Sequence, residues 1–372
     1  MKVLHIIWNA KFGGIEKIVY ELAEEQLISS EVTPAVLIAK EEGEFLVKFR
    51  EAEFSSYFLN FKKGLDLKFS NFKNALGLFQ KYDVLHLHFF NPILALAAYL
   101  SKKKIVYTEH GNFGFGRKEK KSDRLLNALK KRFLNYSMVS ITYNSNFTRQ
   151  YSERHLGLFN HPRSSVVTNG INLLVYFNTK ELGPQQKEFQ LLKEQLKDKF
   201  VIGTSSRFAG FKRIDRLIDA FNKIPKNDQT ILLLVGDGVL MPVLKKQVEA
   251  LNLQHQVIFT GFVDKIRYYQ DLMDVCVFPS ESEPFGLVAV ETLSLGKPTI
   301  VFQSGGGLVE IVEGINMKDV VADESHLVER MEYYRRHREE IELSKKTRIE
   351  YSKGFSISSV VDELVPIYQK KQ

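Results

Sequence analysis

The chain opens with Met1-Lys2-Val3-Leu4-His5-Ile6-Ile7, and shortly afterwards comes Lys11-Phe12-Gly13-Gly14-Ile15-Glu16. Residues 2–7 read as a strand, because core-type side chains alternate with short polar positions. The glycine pair then turns the chain, a helix is expected over 16–29, and a second strand over 32–39. Strand, glycine loop, helix, strand is how a parallel sheet covered by helices begins. On this reading the first apolar residues belong to a strand and not to a secretory leader.

Working outward, the order repeats. Strands are expected over 83–88, 104–108 and 139–142, with a helix over 92–100 whose first turn tolerates Pro92. A break follows Asn169-Gly170, and the polar stretch 178–199, carrying Gly183-Pro184, reads as a link. The pattern then restarts with strands over 200–204, 230–235, 257–260, 275–278 and 298–302, and helices over 213–223, 240–251 and 287–295. Gly203, Gly236, Gly238 and Gly261 fall at carboxyl ends of strands, where doubly wound sheets leave their ligand crevice. The expected fold class is α/β, with two doubly wound Rossmann-like domains facing across a cleft. Domain limits are expected at 1–172, 173–198 (linker and surface helix), 199–350 and 351–372, the last a helix. The tail 334–372 shows two helical patterns separated near Gly354.

Bulk properties narrow the function classes. A chain of 372 residues with 44% hydrophobic and 26% charged residues suffices for about two cored domains. The single cysteine, Cys276, forms no intramolecular disulfide and sits in an apolar strand, as a small buried hydrophobe does. The apolar run 84–100 is interrupted by His86, His88, Asn91 and Pro92, so it is not a membrane span. A net charge of +8 suits an anionic substrate, an acidic lipid surface or nucleic acid alike.

Three segments of the second half can carry chemistry. In Thr204-Ser205-Ser206-Arg207-Phe208-Ala209-Gly210-Phe211-Lys212, Arg207 and Lys212 can close on one polyanion from two directions. A solvated basic loop is the alternative. In Ser280-Glu281-Ser282-Glu283-Pro284-Phe285-Gly286-Leu287, a tight entry into a helix leaves backbone N–H groups near Phe285, Gly286 and Leu287 able to hold an anion or sugar oxygens. Glu283 at its mouth reads either as a ligand to a sugar or as a helix cap. Glu291 interrupts an apolar helix face and costs free energy if buried without a partner. The third segment, Ser304-Gly305-Gly306-Gly307-Leu308-Val309-Glu310, either brings backbone close to a ligand or forms a mobile turn.

The first half offers Gly13 and Gly14, which suit close approach of a phosphate or sugar but lack dinucleotide-fingerprint spacing. His110 ends a strand in Glu109-His110-Gly111 and can hydrogen-bond a hydroxyl or a phosphate, or be structural. His86 and His88 lie on one strand face, but no carboxylate ligand set accompanies them, so no metal site is expected.

These motifs resemble, in their order, those of the retaining glycosyltransferases of family 4, which have two facing Rossmann-like domains (the GT-B type). The resemblance covers nearly the full length. Its most specific element is the Glu-x7-Glu motif from Glu283 to Glu291, joined by the Arg207 to Lys212 spacing, Val235-Gly236-Asp237-Gly238 and Asn169-Gly170-Ile171. The resemblance implies that Arg207 and Lys212 bind the donor diphosphate, Glu291 the ribose, and Glu283 with the amides after it the donor sugar. It further implies that His110 meets the donor sugar near its reacting centre, that Gly13-Gly14 lies beside the diphosphate, and that Glu310 lies near the nucleotide end. The last helix is expected to return to the first domain. Catalysis is then expected to retain anomeric configuration without a metal or other cofactor. The donor would be a UDP- or GDP-sugar, and the acceptor a polysaccharide, a lipid-linked oligosaccharide or a lipid. Arg213 stands where the family usually has glycine, and Gly307-Leu308-Val309-Glu310 departs from the usual glycine, apolar residue, proline, glutamate run.

The basic stretch 116–134, after Phe113-Gly114-Phe115-Gly116, reads either as a membrane-surface helix or as a core-facing helix with a solvated basic side. The expected location is cytoplasmic, with peripheral attachment to the inner face of the cell membrane left open. A nucleotide-sugar epimerase and a non-catalytic nucleotide-sugar-binding subunit share such an architecture and remain alternatives. Nucleic acid is not an expected partner, since nothing beyond net charge points to it.

Overall fold

The computed structural model describes residues 1–11, 13–29, 31–62, 69–111, 120–177, 187–225 and 229–370. The loop Phe113-Gly114-Phe115-Gly116, residues 117–119 and Gly183-Pro184 lie outside these residues. The chain divides into two units, Met1–Ile171 with Phe355–Gln372 (unit 1) and Asn172–Gly354 (unit 2). Residues 173–198 fall within unit 2, and the segment that returns to unit 1 starts at Phe355.

Unit 1 holds β1 (Lys2–Ile7), β2 (Thr33–Ile38), β3 (Ser55–Phe58), β4 (Val84–Leu87), β5 (Lys104–Glu109), β6 (Val139–Tyr143) and β7 (Ser164–Val166), in the order β3-β2-β1-β4-β5-β6-β7. All six pairings are parallel. Every residue of β1 and β2 except the first is buried, as a sheet covered on both faces requires. The helix Gly14–Ile28 turns Ile18, Val19, Leu22 and Ala23 inward. The helix Ile357–Gln369 buries Ile357, Val360, Val361, Leu364 and Tyr368, a stripe at helical spacing that packs with Val3, Leu22 and Val84.

Unit 2 holds β8 (Phe200–Ser205), β9 (Thr230–Val235), β10 (Val257–Gly261), β11 (Val275–Phe278), β12 (Thr299–Phe302) and β13 (Val320–Val321), in the order β10-β9-β8-β11-β12-β13. Its core joins Phe200, Ile202, Leu217, Leu232, Leu234, Val277 and Ile300. Cys276 is fully buried beside Met273, and burial pushes its thiol pKa up to about 12, which keeps it protonated and unreactive. In each sheet the strand order reverses once, between β1 and β4 and between β8 and β11.

The sequence pattern leaves out β3, β7 and β13. Two of these, β3 and β7, are short edge strands of serine-rich sequence, and β13 has two residues, so neighbouring strands and not an apolar run define them. The tail is also more broken than two helical patterns. Before Gly354 the helix Glu324–Arg336 ends at His337, which leaves helical geometry at φ −122°, ψ 58°, and Arg338–Leu343 and Lys345–Ser352 follow as separate helices that part at Ser344.

The loop after β8 is braced by the turn after β9. Ser206 N–H donates to Val235 O, and Phe208 N–H donates to Asp237 O at 2.8 Å. Gly236 has φ +133°, and a Cβ there would overlap Ser206 O. Replacing Gly236 by alanine is expected to cost at least about 2 kcal/mol from backbone strain and overlap. A shift in the urea midpoint worth less than about 0.5 kcal/mol would show that this brace is soft.

Candidate active site

In unit 2 the loops after β8 and β11 leave the carboxyl ends of the two strands at the reversal, where a doubly wound sheet places its ligand crevice. The first loop carries Arg207 and Lys212. The second carries Glu281 and Glu283 and enters the helix Leu287–Ser294 through Gly286 at φ 106°. The loops are tied by the Glu281 N–H, which donates to Phe211 O at 2.8 Å. Between these loops, Lys212 Nζ meets Glu283 Oε2 at 2.6 Å, and Lys212 is only 9% exposed. Its ammonium also lies 5.1 Å from the centre of the Phe211 ring. Arg207 on the same loop is exposed and has no ion pair among the described residues. The site therefore holds one cation positioned by a carboxylate and one that projects freely.

Glu283 does not cap the helix, since Gly286 occupies the cap position without any side-chain bond. Its backbone instead pairs with the third loop. Glu283 N–H donates to Gly305 O at 3.1 Å, and Gly307 N–H donates to Glu283 O at 2.7 Å. A Cβ at Gly307 would press on Pro284 O and Phe285 Cα, so this glycine serves close packing of two loops. Phe285 is buried at 4% exposure, and the N–H groups at Gly286 and Leu287 belong to the first helical turn, which lacks intrahelical acceptors. Glu310 lies half-buried in the first turn of the helix Gly307–Glu313.

Glu291 is buried and finds a partner in Gln270, whose Nε2 donates to Glu291 Oε2 at 3.1 Å and to Ser205 Oγ at 2.9 Å. Gln270 Oε1 and Ser206 Oγ are buried with no partner among the described residues. Unmatched polar atoms of this kind suit a polar ligand. Gln270 has no sequence signature, because only the packing of the helix Ile266–Asp271 brings it to Glu291. Arg213 sits at φ 48°, the left-handed region in which glycine is at ease, and is held there by Asp215 and Glu281. Its ion pairs offset the strain that the family's usual glycine avoids.

In unit 1, Gly13 precedes and Gly14 begins the helix Gly14–Ile28, next to the end of β1. His110 follows β5. It is buried, and its Nε2 lies 2.9 Å from His88 Nδ1. His88 Nε2 lies 3.0 Å from His5 Nδ1, and His5 Nε2 lies 2.8 Å from Gln26 Oε1. His86 bonds Tyr368 Oη at 2.7 Å and Thr108 Oγ1 at 2.6 Å. His5, His86 and His88 bring ligand-capable atoms within 4.8 Å of one another. All six of their ring nitrogens already have partners, so the cluster is satisfied without an ion. The β1–β4 register, which pairs His5 with His86, gathers residues that are far apart in the chain.

Two parallel α/β units of this topology define the GT-B class. The sequence pattern described as Glycosyltransferase Family 4 matches residues 12–173, and that described as Glycosyl transferases group 1 matches residues 186–342. The chain belongs to family 4 of the glycosyltransferases. It is 28% identical over 277 residues to N-acetyl-alpha-D-glucosaminyl L-malate synthase of Bacillus anthracis, covering 72% of this chain and 68% of that protein. It is 25% identical over 319 residues to UDP-Gal:alpha-D-GlcNAc-diphosphoundecaprenol alpha-1,3-galactosyltransferase of Escherichia coli, covering 82% and 80%. The structure of Anabaena Alr3699/HepE in complex with UDP shares the fold, with a TM-score of 0.79 and 20% identity over 98% of both chains.

Burial lowers the pKa values of His5 and His110 to about 4 and those of His86 and His88 well below 6.5. All four are neutral in the fold near pH 7. In the unfolded chain they gain protons as the pH drops below 6.5, so stability falls from there toward pH 4 and is indifferent above. At pH 5.5 the loss should reach about 1 kcal/mol per histidine. Urea midpoints that stay level from pH 7.5 to 5.5 would contradict this.

Proposed function

We propose that the protein is an anomer-retaining glycosyltransferase that moves a hexose or hexose derivative from a UDP- or GDP-sugar without a metal ion. The observation that carries this reading is the Lys212–Glu283 pair at the reversal point of the second sheet, with Arg207 exposed on the same loop and without an ion pair among the described residues. As the bond between the sugar C1 and the diphosphate oxygen breaks, its electron pair passes to the leaving group. Arg207 and Lys212 match that growing charge, which in other transferases falls to a divalent cation. The acceptor oxygen then bonds C1 on the same face, and its proton goes to the leaving phosphate. Glu283 and the Gly286 and Leu287 amides hold sugar hydroxyls, Phe285 shapes the entry, and Glu291 with Gln270 takes the ribose. Glu310 lies toward the nucleotide. Gly13, Gly14 and His110 take their proposed donor roles from the family resemblance, and acceptor recognition is assigned to unit 1.

The relatives from Bacillus anthracis and Escherichia coli, by their names, act on a small acid and on a lipid diphosphate sugar, and Alr3699/HepE binds UDP. They support a nucleotide-sugar donor and a saccharide or lipid-linked acceptor. Arg207→Ala and Lys212→Ala should each lower turnover by about two orders of magnitude or more, while EDTA leaves the wild-type rate unchanged. Near-wild-type turnover in both variants, or a rate abolished by EDTA and restored by a divalent ion, would remove the assignment. Product analysis that finds an epimerised donor without any acceptor would move the chain to the epimerases.

The proposal extends to peripheral membrane attachment. Among the described residues no helix is long and apolar enough to cross a membrane. The helix Lys121–Leu134 exposes Leu125, Leu126 and Leu129, and the neighbouring helix Pro92–Ser101 exposes Leu96, Tyr99 and Leu100. Exposed Lys102, Arg124, Lys131 and Arg132 accompany these residues, whereas Lys130 turns inward to Glu109. Apolar side chains among basic ones suit an anionic bilayer surface. Wild-type protein should sediment with acidic vesicles and not neutral ones, and Leu125→Asp with Leu129→Asp should reduce the bound fraction several-fold. Equal partitioning in all cases would make the face an ordinary solvated one.

A further inference from the structure

We propose that Gln26, His5 and His88 are positioning residues that fix the proton of His110 on Nε2, leaving Nδ1 as an acceptor for a hydroxyl of the bound sugar. This inference rests on the glycosyltransferase reading for its ligand, though not for its chemistry. A neutral imidazole carries one N–H and one lone pair, so a file of hydrogen-bonded neutral imidazoles must point all its protons the same way. The direction is set at the buried end. Gln26 Oε1 accepts from His5 Nε2, which leaves His5 Nδ1 as a lone pair and makes His88 Nε2 the donor to it. His88 Nδ1 is then a lone pair, and His110 Nε2 must donate to it. His110 Nδ1 ends the file with a lone pair, is buried, and has no partner among the described residues.

A second branch runs from the same amide and agrees with this orientation. Gln26 Nε2 donates to Tyr368 Oη at 3.4 Å, Tyr368 donates to His86 Nδ1, and His86 Nε2–H donates to Thr108 Oγ1. Turning the amide over would reverse both branches and put a proton on His110 Nδ1. Gln26, remote in sequence from His110, thereby decides whether this site accepts from a hydroxyl or donates to an oxygen anion. The file also explains why three histidines are buried in one layer although each burial opposes their charged form.

The test uses the intact protein labelled with 15N-histidine. Long-range 1H–15N spectra, assigned with His110→Gln, should show His110 Nδ1 unprotonated and Nε2 protonated. UDP-glucose, UDP-N-acetylglucosamine or GDP-mannose, whichever is turned over, should shift the Nδ1 resonance toward its hydrogen-bonded position, whereas UDP and GDP alone should not. His88→Leu should leave His110 in mixed tautomers and raise the donor KM about tenfold with little change in kcat, the effect of one lost hydrogen bond. Gln26→Glu, which keeps an acceptor for His5, should hold the donor KM near wild type. A wild-type Nδ1 that carries the proton overturns the inference even if the enzyme transfers sugar. The stated tautomer with turnover but no sugar-dependent shift also overturns it, because the acceptor then serves no ligand. Absence of both turnover and shift for every nucleotide sugar sinks the glycosyltransferase reading and, with it, the ligand assigned to Nδ1.

Discussion

Two neighbouring strands of a parallel sheet whose following segments go to opposite faces must part at their carboxyl ends. The groups of unit 2 that can meet a charged ligand hang from such a pair, β8 and β11. The gap needs no carving out of a core, since it follows from the order in which the strands were laid down. What the sequence adds is chemistry suited to that opening: cations on one loop, carboxylates and a helix start on the other.

Loops that carry charge tend to move, and here they are restrained by backbone contact. The turn after β9 braces the loop after β8, and the Gly305-Gly306-Gly307 segment lies along Glu283 to Phe285. At Gly236 and Gly307 a side chain would block the approach. The Lys212–Glu283 pair completes the arrangement, because a buried ammonium held at 2.6 Å by a carboxylate has its direction set before any ligand arrives. Preorganisation of this kind lets a cation stabilise a leaving group without reorganisation cost at the moment of reaction.

Unit 1 uses a different device. Its polar layer of His5, His86, His88 and His110, with Gln26, Thr108, Thr142 and Tyr368, is closed off by the last helix of the chain. Burial keeps the rings neutral, and neutrality makes the hydrogen bonds directional. Electrostatics and packing thus act through one constraint, in which a ring that cannot charge has only one proton to place.

Much of this was legible in the residues themselves. Alternation, glycine placement and helical stripes marked two parallel α/β units, and the spacing of Arg207, Lys212, Glu283 and Glu291 drew attention to one region of the second. Periodicity suffices there because a strand buried on both faces, or a helix packed by one stripe, leaves its mark on consecutive residues. Only the tertiary structure decided matters that depend on distant partners: the edge strands β3, β7 and β13, Gln270 beside Glu291, the role of the glycine loop as a brace, and the order of the histidine file. His5, Gln26, His88, His110 and Tyr368 come from five separate elements or their ends, and strand order together with the docking of the last helix brings them together. A local pattern cannot encode such a meeting, because its terms are hydrogen bonds between residues that the sequence holds far apart.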